Sequence, residues 1–178
     1  MKIILKILVI LQILVQTIAA QSISLEGGAN YFLGDLRKEI KICPYGGANF
    51  EYVLSNYTAL YVQGTFSYLK LKNNKDFHGL YQMLGRTGIE TPEHLLKPVA
   101  IGLGVSMATV RGKNATPQAE NYMLSTSETE FGWHVRLELS MFNIEKFKFG
   151  TRFHYDEIWT KPKNSSLLQG GVFVAYAI

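Results

Sequence analysis

Residues 131–159 read FGWHVRLELSMFNIEKFKFGTRFHYDEIW, and no other stretch constrains the fold as tightly. Phe131, Trp133, Val135, Leu137 and Leu139 alternate with Gly132, His134, Arg136, Glu138 and Ser140. After a break at Asn143-Ile144-Glu145 the alternation resumes. Phe147, Phe149, Thr151, Phe153 and Tyr155 then interleave with Lys148, Gly150, Arg152, His154 and Asp156. A period of two on both sides of a short break is the pattern of a β-hairpin. A soluble protein would turn the apolar set inward, whereas a membrane barrel would turn it out into lipid.

The same period recurs along the chain and predicts eight strands. The first runs from Ser22 to Asp35, with Ile23, Leu25, Ala29, Tyr31 and Leu33 opposed to Ser24, Glu26 and Asn30. The second, Tyr45 to Ser55, sets Ala48, Phe50, Tyr52 and Leu54 against Asn49, Glu51 and Ser55. The third, Thr58 to Leu71, sets Leu60, Val62, Phe66 and Tyr68 against Tyr61, Gln63, Thr65 and Ser67. The fourth, about Phe77 to Glu90, alternates poorly, and a helix competes with a strand there. The fifth, Lys97 to Val110, opposes Val99, Ile101, Leu103, Val105 and Met107 to Ala100, Gly102, Gly104, Ser106 and Ala108. The hairpin supplies strands six and seven. The eighth, Leu167 to Ile178, opposes Leu168, Val172, Val174, Tyr176 and Ile178 to Gln169, Gly171, Phe173 and Ala175, and it runs to the last residue.

The minority face decides between the two topologies. It collects Glu26, Glu51, Gln63, His134, Arg136, Glu138, Lys148, Arg152, His154 and Asp156, with Gly, Ala, Ser and Thr between them. A solvated face is rich in Lys and Glu and needs few glycines. Small residues are instead what a narrow interior requires, and eight strands leave one just wide enough for side chains to fill. The linkers agree. Asn56-Tyr57 and Asn143 to Glu145 are short, while 36–44, 111–129 and 160–166 are longer or more polar, and the turn at 73–76 is shorter than its position suggests. With the N-terminus on the periplasmic side, the even-numbered links lie there and the odd-numbered ones outside, the asymmetry of outer-membrane barrels. Tyr57, Phe131, Trp133, Trp159 and Tyr176 stand near strand ends, where interfacial girdles form. The expected fold is all-β, an eight-stranded antiparallel transmembrane up-and-down β-barrel.

The 178 residues suffice for one domain. Residues 1–20 fall outside it: Lys2 and Lys6 form a positive n-region, Ile7 to Val15 an apolar stretch, and Thr17-Ile18-Ala19-Ala20 a small-residue cleavage region. This pattern predicts a secretory signal peptide cut after Ala19 or Ala20, since the apolar run is short for a membrane anchor. Residues 21–178 then form the barrel domain. Eighteen basic and fourteen acidic residues become sixteen and fourteen once Lys2 and Lys6 are set aside, so no nucleic-acid footprint follows. Cys43 is the sole cysteine, which excludes an intramolecular disulfide and reads as an incidental loop residue.

The chain resembles the outer membrane protein beta-barrel domain family, the small eight-stranded barrels of the OmpX and OmpA type. The resemblance rests on GGANYFLGDL (27–36), KPVAIGLGVSM (97–107), the opening hairpin and the closing LLQGGVFVAYAI (167–178). It covers essentially the whole mature chain. The Gly-Asp-Leu after the first strand is also similar to barrels of Bacteroidota-type bacteria, including some tied to protein secretion. Val99 stands where an aromatic is common in the family. Tyr176-Ala177-Ile178 replaces the usual terminal aromatic, which the barrel-insertion machinery reads. The resemblance implies an outer-membrane location, outer-membrane lipid and that machinery as partners, and a monomer.

The interior charges carry the chemistry to be tested. Buried charges are costly unless paired. Glu26, Glu51, His134, Arg136, Glu138, Lys148, Arg152, His154 and Asp156 are therefore expected to form a polar network filling the lumen, with Arg136 and Glu138 opposite Arg152 and Lys148. An enzyme reading finds His154 close to Asp156 but no serine two residues away. A metal reading finds His134, His154 and Asp156 without ligand spacing. No catalytic residue, metal or cofactor is expected. Asn56, Asn114 and Asn164 begin Asn-x-Ser/Thr sequences, which matter only in a eukaryotic secretory pathway. The function expected is a non-enzymatic envelope barrel with a structural or surface-interaction role through its external loops. The alternatives are a narrow channel or small-solute binder, and a soluble lipocalin-like carrier. The carrier is disfavoured because Phe131-Gly132-Trp133 comes late and no Gly-x-Trp marks the first strand.

Overall fold

The computed structural model describes residues 21–72, 77–114, 127–160 and 164–178. The expected signal peptide, 1–20, lies outside them, as do 73–76, 115–126 and 161–163. The eight strands are β1 (Gln21–Phe32), β2 (Cys43–Ser55), β3 (Thr58–Tyr68), β4 (Phe77–Glu90), β5 (Val99–Asn114), β6 (Ser127–Ile144), β7 (Phe147–Ile158) and β8 (Ser165–Ala177). Each pairs antiparallel with its neighbours in sequence, and β1 pairs with β8 to close the barrel. Closure leaves no edge with unpaired backbone groups, which is what hydrocarbon demands. No helix among the described residues is long and apolar enough to cross a membrane.

The inward and outward faces fall where the period of two puts them. On β3, Tyr61, Gln63, Thr65 and Ser67 are buried while Leu60, Val62, Phe66 and Tyr68 are exposed. On β5, Ile101, Leu103, Val105 and Met107 are exposed; on β6, so are Phe131, Trp133, Val135 and Leu137. This is a globular protein turned inside out. Exposed large apolar side chains occur on all eight strands, where a soluble monomer rarely shows a contiguous apolar patch beyond a few hundred square ångströms, and this is the surface lipid covers.

β4 is a strand, not a helix. Gln82, Leu84, Arg86 and Glu90 are buried inside, and Met83, Thr87 and Ile89 face out. Its alternation is hidden because the inner face includes Leu80 and Leu84 and the outer one Gly85 and Thr87.

The links divide the barrel into two ends. At the turn end, β2 joins β3 through Asn56-Tyr57, and β6 joins β7 through Glu145-Lys146, one residue beyond the expected break. Glu145 there adopts a left-handed backbone (φ 51°), as a two-residue hairpin turn requires. The remaining turn-end link, 91–98, holds the short helix α2 (Glu93–Leu96). At the loop end, 33–42 holds the short helix α1 (Leu36–Glu39), and β3 stops at Tyr68, so the third link is longer than the tetrapeptide 73–76. β5 and β6 extend into the polar stretch foreseen as a loop, reaching Asn114 and starting at Ser127.

The interior has two zones. Phe32, Ile40, Cys43, Leu69, Leu80, Leu84, Ala108, Ile158 and Leu167 form one buried apolar cluster at the loop end, with Leu36, Leu71 and Val110 packed against it. Cys43 is therefore a core residue at the start of β2, not a loop residue. Its Sγ donates to the Lys41 carbonyl (3.1 Å) and accepts from the Lys70 amide (3.2 Å). The lumen is thus not polar throughout: an apolar plug seals one end and charge fills the rest.

Candidate functional site: the charged lumen

Three aromatic side chains set the shape of the polar zone, and glycines make room for them. A Cβ added to Gly88 would meet the Tyr61 hydroxyl at 2.8 Å, and one added to Gly102 would meet the Tyr61 ring at 3.0 Å. A Cβ on Gly171 would lie 2.7 Å from the Tyr45 hydroxyl, and one on Gly150 would lie 2.8 Å from the Phe173 ring. Two of these rings then serve as platforms for cations. The Arg136 guanidinium sits 4.5 Å from the Tyr61 centroid, and that of Arg152 sits 4.4 Å from the Phe173 centroid.

From the turn end inward, one unbroken chain of contacts links the charges. Lys148 Nζ donates to Glu138 Oε1 (2.7 Å). Glu138 Oε2 accepts from Arg136 Nη2 (2.6 Å) and from Arg152 Nε and Nη2 (2.9 and 2.7 Å). Arg136 also reaches Asn49 Oδ1 (3.0 Å) and lies 3.2 Å from Glu90 Oε2 as an ion pair without an aligned hydrogen bond. Arg152 Nη1 carries the chain on to Glu26 Oε2 (2.6 Å), with Ser24 Oγ at 3.2 Å. Gln63 donates to Glu26 and, through Oε1, accepts from Arg86 Nη1 (3.1 Å). Arg86 grips Asp156 with two bonds, 2.9 and 2.6 Å, and bonds Gln169 Oε1 at 2.7 Å. Gln169 ends the chain on Asn30 Oδ1 (2.6 Å), beneath the apolar plug.

The chain joins Arg86, Arg136, Arg152 and Lys148 to Glu26, Glu90, Glu138 and Asp156, so its formal charges cancel. All of these are buried except Lys148, whose side chain is 18% exposed at the turn end. Desolvating these ions is costly, and the cost is offset because each has an oppositely charged partner and most are held by hydrogen bonds as well, Glu90 being the exception.

Of the residues predicted from sequence, Glu26, Arg136, Glu138, Lys148, Arg152 and Asp156 lie in this chain. His154 touches it through Gln63 (3.1 Å), and His134 hydrogen-bonds the Tyr61 hydroxyl. Glu51 is only half-buried and takes no part in these bonds. The expected strand register needs correction. Glu138 does face Arg152, but Lys148 faces Asn143 because the turn falls at Glu145-Lys146, and Arg136 faces His154 because that turn and a bulge between Ser140 and Phe142 together set the ladder. Lys148 reaches Glu138 along the lumen instead of from the opposite position.

Sequence reading missed Arg86 and Glu90, along with the neutral partners Asn30, Asn49 and Gln169. The signal existed: Gln82, Arg86 and Glu90 are spaced by four, so a strand must place them on one face.

This arrangement is poorly suited to acid–base chemistry. His134 stands directly opposite Asp156 in the ladder, yet both Asp156 oxygens are committed to Arg86. His134 is 0% and His154 1% exposed, both enclosed by the polar network. Among the described residues, no group of three or more His, Cys, Asp and Glu side chains is placed to hold a metal ion.

An apolar girdled exterior, a closed antiparallel sheet and a charge-filled interior together define a transmembrane up-and-down β-barrel. Its fold is that of the small eight-stranded outer-membrane barrels. It is similar to Neisserial surface protein A (NspA), 13% identical with a TM-score of 0.64, covering 89% of this chain and 98% of that one. It is also similar to OprG of Pseudomonas aeruginosa, 12% identical, TM-score 0.59, covering 88% and 95%. A third similar structure is Ail, the attachment invasion locus protein of Yersinia pestis, 11% identical, TM-score 0.57, covering 89% and 98%. No protein-family model matches the sequence, and no curated protein matches it.

Proposed function

We propose that the chain is a non-enzymatic barrel of the bacterial outer membrane, exported by a signal peptide that is then removed. Its role is envelope structure or surface interaction through the loop end. The observation that carries this reading is the combination of a lipid-facing apolar wall with a lumen stoppered twice, by the Glu138-centred ion network and by the plug around Leu84 and Leu167. A filled interior leaves the loops as the part free to engage a partner. Fold-level analogy adds weak support, since the names of NspA and Ail place those proteins in surface roles. The aromatic positions support membrane seating. Phe131 and Trp159 are exposed at the loop end, Tyr57 and Tyr176 at the turn end, and the Trp133 ring packs 5.6 Å from Tyr155.

Membrane fractionation combined with surface protease access to 111–129 tests location and orientation together. The mature protein requires detergent and migrates differently on gels before and after heating. Free solubility without detergent would overturn the reading. In planar bilayers the wild-type barrel gives no conductance steps; resolved steps would establish the channel alternative instead.

A further inference from the structure

At the loop end, two links are zipped into an extra ladder above the barrel wall. The Lys41 amide donates to the Lys70 carbonyl (2.8 Å), the Lys72 amide donates to the Glu39 carbonyl (2.7 Å), and Ile40 bridges Leu71. The ladder has one apolar side: Ile40 and Leu69 are buried in the plug, and Leu36 and Leu71 pack against it. Its other side gathers the exposed cations Arg37, Lys38, Lys41, Lys70 and Lys72, with one half-buried acid, Glu39, opposite Lys72. Lys38 is paired with Asp35 at 3.1 Å, and Lys72 Nζ donates to the Arg37 carbonyl. Lys41 and Lys70 are directly opposed across the ladder, and among the described residues no carboxylate pairs with either. Like charges opposed on neighbouring strands repel and destabilise the pairing. A fixed backbone that holds them together therefore favours an anion between them.

Height above the lipid wall selects the anion. Arg37 lies 5.2 Å over the ring of Tyr31, a residue of the outward face of β1. Ile42, next to Lys41, and Tyr68, two residues before Lys70, are both exposed on the outward side. The cations thus stand one residue step above the apolar band, at headgroup depth, where basic side chains attract anionic lipid. We propose that Lys41 and Lys70, flanked by Arg37 and Lys72, form a seat for the phosphate groups of an anionic lipid in the surrounding leaflet. This rests on the membrane-barrel reading above. It adds a specific lipid contact to one sector of the rim, on the side of β1 to β4.

The test uses the full mature chain reconstituted in phosphatidylcholine nanodiscs, with and without one-tenth bis-phosphorylated lipid A. Retained lipid is identified by native mass spectrometry. Wild-type protein retains the phosphorylated lipid in preference to phosphatidylcholine. The K41Q/K70Q variant loses that preference by roughly 10- to 30-fold, from about one kcal/mol per cation near a membrane surface. K97Q, which removes an exposed cation at the turn end, retains it as wild type does. Equal retention by wild type and K41Q/K70Q would overturn the proposal, as would no preference in the wild type. Heparin binding to the detergent-solubilised protein that is abolished by K41Q/K70Q, with lipid retention unchanged, would also overturn it and assign the ridge to soluble polyanions. Failure of the chain to enter nanodiscs at all would reject the membrane reading itself, a separate result.

Discussion

Arg86 on β4 and Asp156 on β7 meet across the lumen through two parallel hydrogen bonds, 2.9 and 2.6 Å, with neither side chain exposed to solvent. Removing one partner of such a pair leaves an uncompensated buried charge. Asp156→Leu is expected to cost about 3–5 kcal/mol of stability. The double change Arg86→Met with Asp156→Leu recovers most of that loss, because no ion is left unpaired. Urea unfolding from lipid vesicles, followed by the fluorescence of Trp133 and Trp159, measures both. A double variant no more stable than the single would show that Arg86 is held mainly by Gln63 and Gln169.

Glu138 and Glu51 were both expected in the network, and the structure separates them. Glu138 pairs with Arg136, Arg152 and Lys148 at once, whereas Glu51 is half-buried outside the chain of bonds. Glu138→Gln is expected to destabilise by about 3–5 kcal/mol, and Glu51→Gln to stay within about 0.5 kcal/mol of wild type. The same unfolding measurement decides it. Equal losses at the two positions would contradict the pairing described.

Leu103 is exposed on the outer face of β5 and is paired with Ile89 and Val135 on the flanking strands. If that face meets hydrocarbon, Leu103→Arg costs about 2–4 kcal/mol near the midplane. In a water-facing strand the same change would be nearly silent. Folding yield into vesicles, read as the fraction of heat-modifiable protein, distinguishes the two.

Gly104 and Gly64 give a steric control for the packing of the wall. A Cβ on Gly104 would lie 2.1 Å from the Thr87 carbonyl oxygen, which is backbone and cannot swing aside, while one on Gly64 would find nothing within 4 Å. Gly104→Ala is expected to lose roughly 1–3 kcal/mol by overpacking. Gly64→Ala should change stability by less than about 0.5 kcal/mol. Comparable effects at both sites would mean that close strand approach is not what requires Gly104.

Much of this architecture was legible in the chain because a strand carries only two faces. Once Phe131 and Trp133 alternate with Gly132 and His134, every residue from Phe131 to Glu138 is assigned a side, and the burial follows that assignment. Glu26, Arg136, Glu138, Arg152 and Asp156 could be placed in the lumen for the same reason. β4 resisted because the plug puts Leu80 and Leu84 on its inner face, which erases the polarity contrast that reveals a strand. Arg86 and Glu90 were lost with it.

The sequence by itself determined strand number, the two faces of most strands and the sign of each interior charge, since these follow from local periodicity. Only the tertiary structure decided which charges meet. Arg86 and Asp156 are 70 residues apart, and their contact depends on the three registers from β4 to β7 and on the closure that curves those strands around the lumen. The turn at Glu145-Lys146, one residue beyond the expected break, together with a bulge between Ser140 and Phe142, places Arg136 opposite His154 and not Arg152. The apolar plug is likewise tertiary: Phe32, Cys43, Leu69, Ile158 and Leu167 lie at or near strand ends, where no alternation marks them, and closure alone brings them together. Periodicity is a property of neighbours along the chain, whereas pairing inside a barrel depends on the summed register of every strand between the partners.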